Sequence, residues 1–325
     1  MLRDPIMNLE NNQFGLGEGE LIEITYCYDL PMRLDRWLVN QRPEQSRSSI
    51  QKFINSGLVL INYKTAKSKT PLKKGDNVQI WLPPPEPLPY LKAEKMDLDI
   101  LYEDKHIIVI NKQSGLTVHP APGHKSGTLV NGLLAHCENL PGINGKLRPG
   151  IVHRLDKDTS GCMVVAKDQE SLVNLQMQIK NKIASRNYLA IIHGVPNTSE
   201  GKIVGNIGRH PNDRKKYAVV DENSGKYACT NWKLVEKFGN YSLMSFKLET
   251  GRTHQIRVHS SFIKHPIVGD PLYGRCKKLP CNLKGQALHA NKLGLIHPIN
   301  GENMIFEAEL PLEFQKLIRV ISKTN

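Results

Sequence analysis

The run of residues richest in reactive chemistry is Gly150-Ile151-Val152-His153-Arg154-Leu155-Asp156-Lys157-Asp158-Thr159-Ser160-Gly161. Two β-branched residues lead into it and the apolar run Met163-Val164-Val165-Ala166 leaves it, so its charged middle is expected in a loop at the end of a sheet, where ligands are commonly met. A carboxylate in such a loop can serve as nucleophile or as general acid or base. Glycoside hydrolysis would require two carboxylates flanking one bond; Asp158 is two residues from Asp156, but nothing around it assigns it that role. Two other stretches offer partners. Arg186-Asn187-Tyr188-Leu189-Ala190-Ile191-Ile192-His193-Gly194 sets an aromatic ring in a strand, and Thr250-Gly251-Arg252-Thr253-His254-Gln255-Ile256-Arg257-Val258-His259 sets Arg257 one turn into a helix, with Thr253 as the expected N-cap. Taken singly, each has a plainer reading. Asp156 would be a turn or helix-cap residue, Tyr188 a strand residue packed on the core, and Arg257 a surface cation on an amphipathic helix.

The elements that must position these residues follow from periodicity and charge. The chain has 325 residues, with 44 Lys and Arg against 31 Asp and Glu, a net charge of +13 that favours a polyanionic partner. The excess is uneven. Residues 1–31 carry one arginine against six acids and are read as a lightly structured lead-in, whereas residues 32–82 carry ten Lys or Arg against three acids. In that basic block Leu34, Trp37 and Leu38 repeat at helical spacing and turn Arg33 and Arg36 outward; Ser46 offers an N-cap, Ile50, Phe53 and Ile54 repeat the stripe, and Gly57 stops the second helix. Leu58 to Ile61 and the alternating Val78, Ile80 and Leu82 are expected strands around a lysine-rich loop. Five prolines between Pro83 and Pro89 mark an extended spacer at 83–90. Beyond it, residues 91–325 alternate strands with helices, among them a helix bearing Leu172, Leu175, Ile179 and Ile183 and a C-terminal helix past Pro311.

Arg33-Leu34-Asp35-Arg36 through Trp81 resembles the small RNA-binding domain of the ribosomal protein S-four type, and clustered cations on two helices suit phosphate contacts. Arg33, Arg36, Arg47 and Lys52 are therefore candidate RNA contacts. His153-Arg154-Leu155-Asp156 followed by Thr159-Ser160-Gly161 resembles the signature loop of the RluA-type pseudouridine synthases, and with the basic N-terminal block the chain is most similar to the branch that includes RluC and RluD. The resemblance spans about residues 33–315. It implies an α+β fold, a mixed and largely antiparallel sheet with flanking helices around a central cleft. It implies Asp156 as nucleophile, Tyr188 as the ring stacked on the target uracil, Arg257 as the partner of the nucleophile, and Arg154 as an arginine entering the space of the flipped base. Leu293 is expected as an apolar wall for the uracil. His119, His289 and His297 are read as structural.

The reaction so implied breaks the bond from uracil N1 to the sugar and makes one from C5 to the same carbon, with no redox change, so no cofactor and no metal is expected. Six scattered cysteines read as free thiols in a reducing compartment, and Cys276 and Cys281 lack the tight spacing of a zinc site. No apolar run approaches the roughly 18 residues of a membrane helix, and the acidic N-terminus is unlike a signal peptide, so a cytoplasmic protein without membrane contact, acting as a monomer, is expected. The expected partner is large-subunit ribosomal RNA or a pre-ribosomal particle. A non-catalytic RNA-binding or ribosome-assembly factor on the same fold, and an N-glycosylase that releases free uracil, are the rival functions.

Overall fold

The computed structural model describes residues 20–42, 47–82, 91–120, 126–138, 140–141, 149–274, 279 and 281–323. Ser46, Cys276, the proline-rich segment 83–90 and residues 1–19 lie outside these. The chain divides into two compact units, Met1–Leu88 and Pro89–Asn325.

The first unit runs β1 (Glu20–Thr25), β2 (Met32–Arg33), α1 (Leu34–Gln41), α2 (Arg47–Asn55), β3 (Val59–Ile61), β4 (Lys64–Thr65), β5 (Pro71–Leu72) and β6 (Asn77–Leu82). Part of the expected lead-in is therefore sheet: β1 pairs antiparallel with β6 from Glu20 opposite Leu82 to Thr25 opposite Asn77. Glu20 and Glu23 mask this strand in the sequence, yet Glu23 is used, since its Oε1 accepts from Gln79 Nε2 at 2.6 Å. The expected stripes hold. Leu34, Trp37 and Leu38 of α1 and Ile50 and Ile54 of α2 pack with Val78 and Ile80 in one apolar cluster. After α2 the chain turns at Gly57, φ +74°, where Leu58 N–H donates to Phe53 O and Gly57 N–H to Ile54 O, the left-handed stop that glycine permits.

The second unit runs β7 (Ile100–Glu103), β8 (Ile107–Lys112), α3 (Leu129–His136), β9 (Ser160–Ala166), α4 (Gln169–Lys180), β10 (Ser185–His193), β11 (Glu200–Arg209), β12 (Tyr217–Val220), β13 (Lys226–Phe238), β14 (Tyr241–Leu248), α5 (Gln255–Phe262), β15 (Leu288–Ile296), β16 (Asn303–Glu307) and α6 (Leu312–Ser322). Its sheet is ordered β12-β11-β13-β14-β10-β15-β9-β8-β7, with β16 branching onto β15. Among the described pairings only β15 with β9 is parallel, so the fold is α+β with a mixed, largely antiparallel sheet.

Strands β8 and β9 are apolar on both sides because both faces of the sheet are covered. Ile108, Ile110, Met163 and Val165 join the cluster that includes Leu129 and Leu133 of α3 and Leu317 and Ile321 of α6. Ile107, Val109, Val164 and Ala166 join the other, with Leu175 of α4. Each such buried aliphatic side chain contributes about 1.5–3 kcal/mol. Two expectations shift. Helix α4 ends at Lys180 and Lys182 takes φ +62°, which leaves Ile183 outside the helix and half exposed. Ile151 makes only an isolated bridge to Val165, so the run before the charged loop is not a full strand.

Candidate active site

The loop from Gly150 to Gly161 is pinned by its backbone. Thr159 N–H donates to Asp156 O at 3.1 Å, Gly115 N–H to Lys157 O at 3.0 Å, and Ser114 Oγ to Asp158 O at 3.0 Å. The fully buried Lys112, last residue of β8, donates its ammonium to the carbonyls of Gln113, Leu116 and Lys157 at 2.8–2.9 Å. Burial pushes this amine down to about 7 against the opposing pull of Asp158 and Asp156. Lys112→Met is expected to loosen the loop and lower turnover about 10²-fold. It also removes a pH dependence. The folded amine lies below the ~10.4 of an unfolded lysine, so from pH about 7 upward the unfolded chain holds more protons and stability rises with pH, by at most about 1.4 kcal/mol per unit. Denaturant unfolding at pH 7 and 9 checks this: the parent's advantage over the variant must grow with pH.

Asp156 lines a cleft of about 630 Å³, together with Arg154, Tyr188, His254, Arg257 and Leu288. Its carboxylate, 17% exposed, accepts from Arg257 Nη1 at 2.9 Å. The same guanidinium donates Nε and Nη2 to the two oxygens of Asp270 at 2.7 and 2.9 Å, and Asp270's side chain is wholly buried. Burial alone would lower the Arg257 value; the two carboxylates, Asp270 first, overcome this and raise it, so the guanidinium is a fixed cation. Its ring neighbour is Tyr273, 5.2 Å below the guanidinium carbon. Tyr273 in turn holds His254 by a 3.0 Å bond to Nδ1, and His254 Nε2 stands 3.9 Å from Asp156. Burial keeps that imidazole below its usual range despite Asp156.

Helix α5 carries Arg257 in its first turn, but Thr253 is not its cap. The N-cap is His254, in the left-handed region at φ +56° and without a side-chain capping bond, and Gln255 ties the preceding turn to the helix start, its Oε1 accepting from Arg252 N–H at 3.0 Å and Thr250 Oγ1 at 2.7 Å. Tyr188 lies on β10 and faces the cleft, almost buried. Burial and Asp156 raise its phenol while Arg186 opposes them, so the hydroxyl is neutral at physiological pH. Arg154 is exposed at the cleft mouth.

Leu293 is a correction. It belongs to the apolar cluster of Leu175 and Val164, and the cleft wall is Leu288, five residues earlier on β15, with a shift in the β10–β15 register between the two. His289 bridges Ser160 Oγ and Ala308 O, and His297 pairs with Asp104. His119, read as structural, also lines the cleft. Among the described residues no cluster of three or more His, Cys, Asp or Glu could hold a metal ion, and no helix is long and apolar enough to cross a membrane.

In the first unit the candidate RNA contacts separate into two kinds. Arg36 and Lys52 stand exposed on the helices. Arg33 and Arg47 are tied to the buried Asp35, Arg33 by two bonds at 3.0 and 2.8 Å and Arg47 at 3.4 Å. Burial would raise the Asp35 carboxyl, but these two arginines hold it below its ordinary value.

A family model described as RNA pseudouridylate synthase matches residues 106–262, and one described as S4 domain matches residues 32–78. The chain is 50% identical over 317 residues to the "uncharacterized RNA pseudouridine synthase" of Synechocystis sp., covering 97% of this chain and 94% of that one. It is 41% identical over 303 residues to the ribosomal large subunit pseudouridine synthase D of Zymomonas mobilis, covering 90% and 95%. Among solved structures, human RNA pseudouridylate synthase domain containing 4 superposes with a TM-score of 0.53 at 27% identity, over 69% of this chain and 92% of that one. Fold, site and relatives together define an isomerase of RNA uridines with an appended RNA-binding domain. The chain belongs to the RluA family of RNA pseudouridine synthases.

Proposed function

We propose that this enzyme converts specific uridines of large-subunit ribosomal RNA, free or in a pre-ribosomal particle, to pseudouridine, with Asp156 as nucleophile. The carrying observation is the Asp156 carboxylate, held by the fixed Arg257 cation and opening on the same cleft as the Tyr188 ring. Asp156 attacks the bound nucleotide and the N1–C1′ bond breaks. The uracil, retained between Tyr188 and Leu288, turns until C5 faces C1′, the C5–C1′ bond forms, and the bond between Asp156 and the nucleotide breaks, returning its electron pair to the carboxylate. C5 then loses its proton and N1 gains one, so atoms and charge balance without a cofactor. Tyr188 supplies the stacking surface, worth about 1–3 kcal/mol per base. Arg154 at the mouth fills the space the base leaves; extrusion costs a few kcal/mol.

The choice of ribosomal RNA rests on the basic first unit and on relatives named for the large ribosomal subunit. Mapping pseudouridine in ribosomal RNA from cells with and without the protein tests it; identical maps would refute the substrate. The first unit makes a separate prediction. Each phosphate neutralised by the protein adds about −0.7 to −0.9 to the log–log salt slope of binding. Arg36→Gln combined with Lys52→Gln is expected to flatten that slope by about 0.7–0.9 for each phosphate left without its cation, with turnover at saturating RNA retained. Filter binding across salt concentrations reads it, and an unchanged slope would show that these helices do not touch RNA.

A further inference from the structure

The cleft holds a second buried guanidinium, and among the described residues this one has no counter-ion. Arg186 lies two residues before Tyr188 on β10, so the pleat turns both to the same face, and both line the cleft. Arg186 is only 7% exposed. Among the described residues no carboxylate pairs with it, and its Nε, out of reach of solvent, has no hydrogen-bond partner. Arg257, across the same cleft, has two carboxylates. Burying a charge without a partner is costly, and such a site is retained only where something else repays it.

Three neighbours point to an anion. His153 Nε2 accepts from Val164 N–H at 3.2 Å, which leaves the ring proton on Nδ1, another buried donor without a partner. His153 and Tyr188 line the same cleft as Arg186, and its charge opposes protonation of the ring and lowers the phenol. Lys180, Lys182 and Arg252 also line the cleft, as does Glu249, whose carboxylate is held by Lys182 at 3.3 Å. Room for the guanidinium comes from Gly251, where an added Cβ would stand 2.6 Å from Arg186 Nη1. Arg186 is one strand repeat from Tyr188, about 7 Å, which is the reach from a nucleobase to its own phosphate, and the phosphate is the one group of a nucleotide that carries a full negative charge.

Building on the function proposed above, we infer that Arg186 binds a phosphate flanking the target uridine and so fixes the nucleotide while its base is free to turn. The test uses the full chain and the ribosomal RNA hairpin that carries the modified uridine, made with a neutral methylphosphonate at either flanking linkage. At one linkage, neutralisation is expected to weaken binding by the parent tenfold or more. Arg186→Met is expected to weaken binding of the unmodified RNA equally, and to show no further loss with that methylphosphonate RNA; Arg186→Lys keeps part of the affinity. Gly251→Ala, which displaces the guanidinium, is expected to reproduce the loss. Because an unpaired buried charge disappears, Arg186→Met should unfold at an equal or higher denaturant midpoint, whereas a residue that merely packs would lower it. Losses that multiply at both linkages, or parent affinity in Arg186→Met, overturn the inference. Failure of the parent to form pseudouridine in the unmodified hairpin would instead overturn the catalytic reading, and the binding measurements would still decide the role of Arg186.

Discussion

Asp156→Asn is expected to reduce isomerisation by about 10⁴-fold or more, in line with the loss of a nucleophile elsewhere, while RNA affinity holds or rises. The two halves have one cause. The amide preserves the shape of the side chain and can still meet Arg257 through its oxygen, but it has no electron pair reactive enough to attack the nucleotide. It also removes a negative charge from a cleft that takes a polyanion, so binding is not penalised. Single-turnover pseudouridine formation with saturating enzyme separates chemistry from binding. Turnover within tenfold of the parent would remove Asp156 from the nucleophile's role, and turnover lost together with affinity would make it a structural residue of the loop.

Arg257→Met is expected to cost about 3–5 kcal/mol of stability, the range for breaking a buried ion pair, and most of the activity. Arg257 is the shared cation of Asp156 and the wholly buried Asp270. Without it, Asp270 keeps its bonds from Leu272 N–H at 2.9 Å and Tyr273 N–H at 3.0 Å but faces no positive charge, and Asp156 loses the donor that fixes its carboxylate in the cleft. Pairing Arg257→Met with Asp270→Asn tests the origin of the cost. The double variant leaves no uncompensated buried charge at Asp270 and is expected to regain a large part of the stability, yet none of the turnover. Equal stability in single and double variants, measured by denaturant unfolding, would show that the arginine contributes packing rather than charge.

The sequence by itself determined what is written in contiguous residues. The stripe Leu34, Trp37, Leu38 defines its helix because three- and four-residue spacing is a property of one element, and it buries as expected. The run around Asp156 is legible because its resemblance lies in adjacent positions, and the excess of cations in residues 32–82 is a matter of counting. Asp270 is different. Asp-Pro reads as a turn, and Asp270 does accept the turn's two amides; its grip on Arg257 exists only because the chain folds back after α5. Strand β1 is hidden because its pattern, broken by Glu20 and Glu23, makes sense only against β6. Leu293 and Leu288 show the limit most directly. The pairing register of β15 with β10 shifts between them, which spacing does not record, and only the packing of Leu293 in the cluster with Leu175 of α4 and of Leu288 along the cleft decides which one meets it. Arg186 is likewise an ordinary strand arginine until the fold buries it and, among the described residues, brings no carboxylate to meet it. Local spacing therefore determines elements and their faces, whereas counter-ions, caps and cleft walls come from residues far apart in the chain, whose approach is set by the register of the sheet.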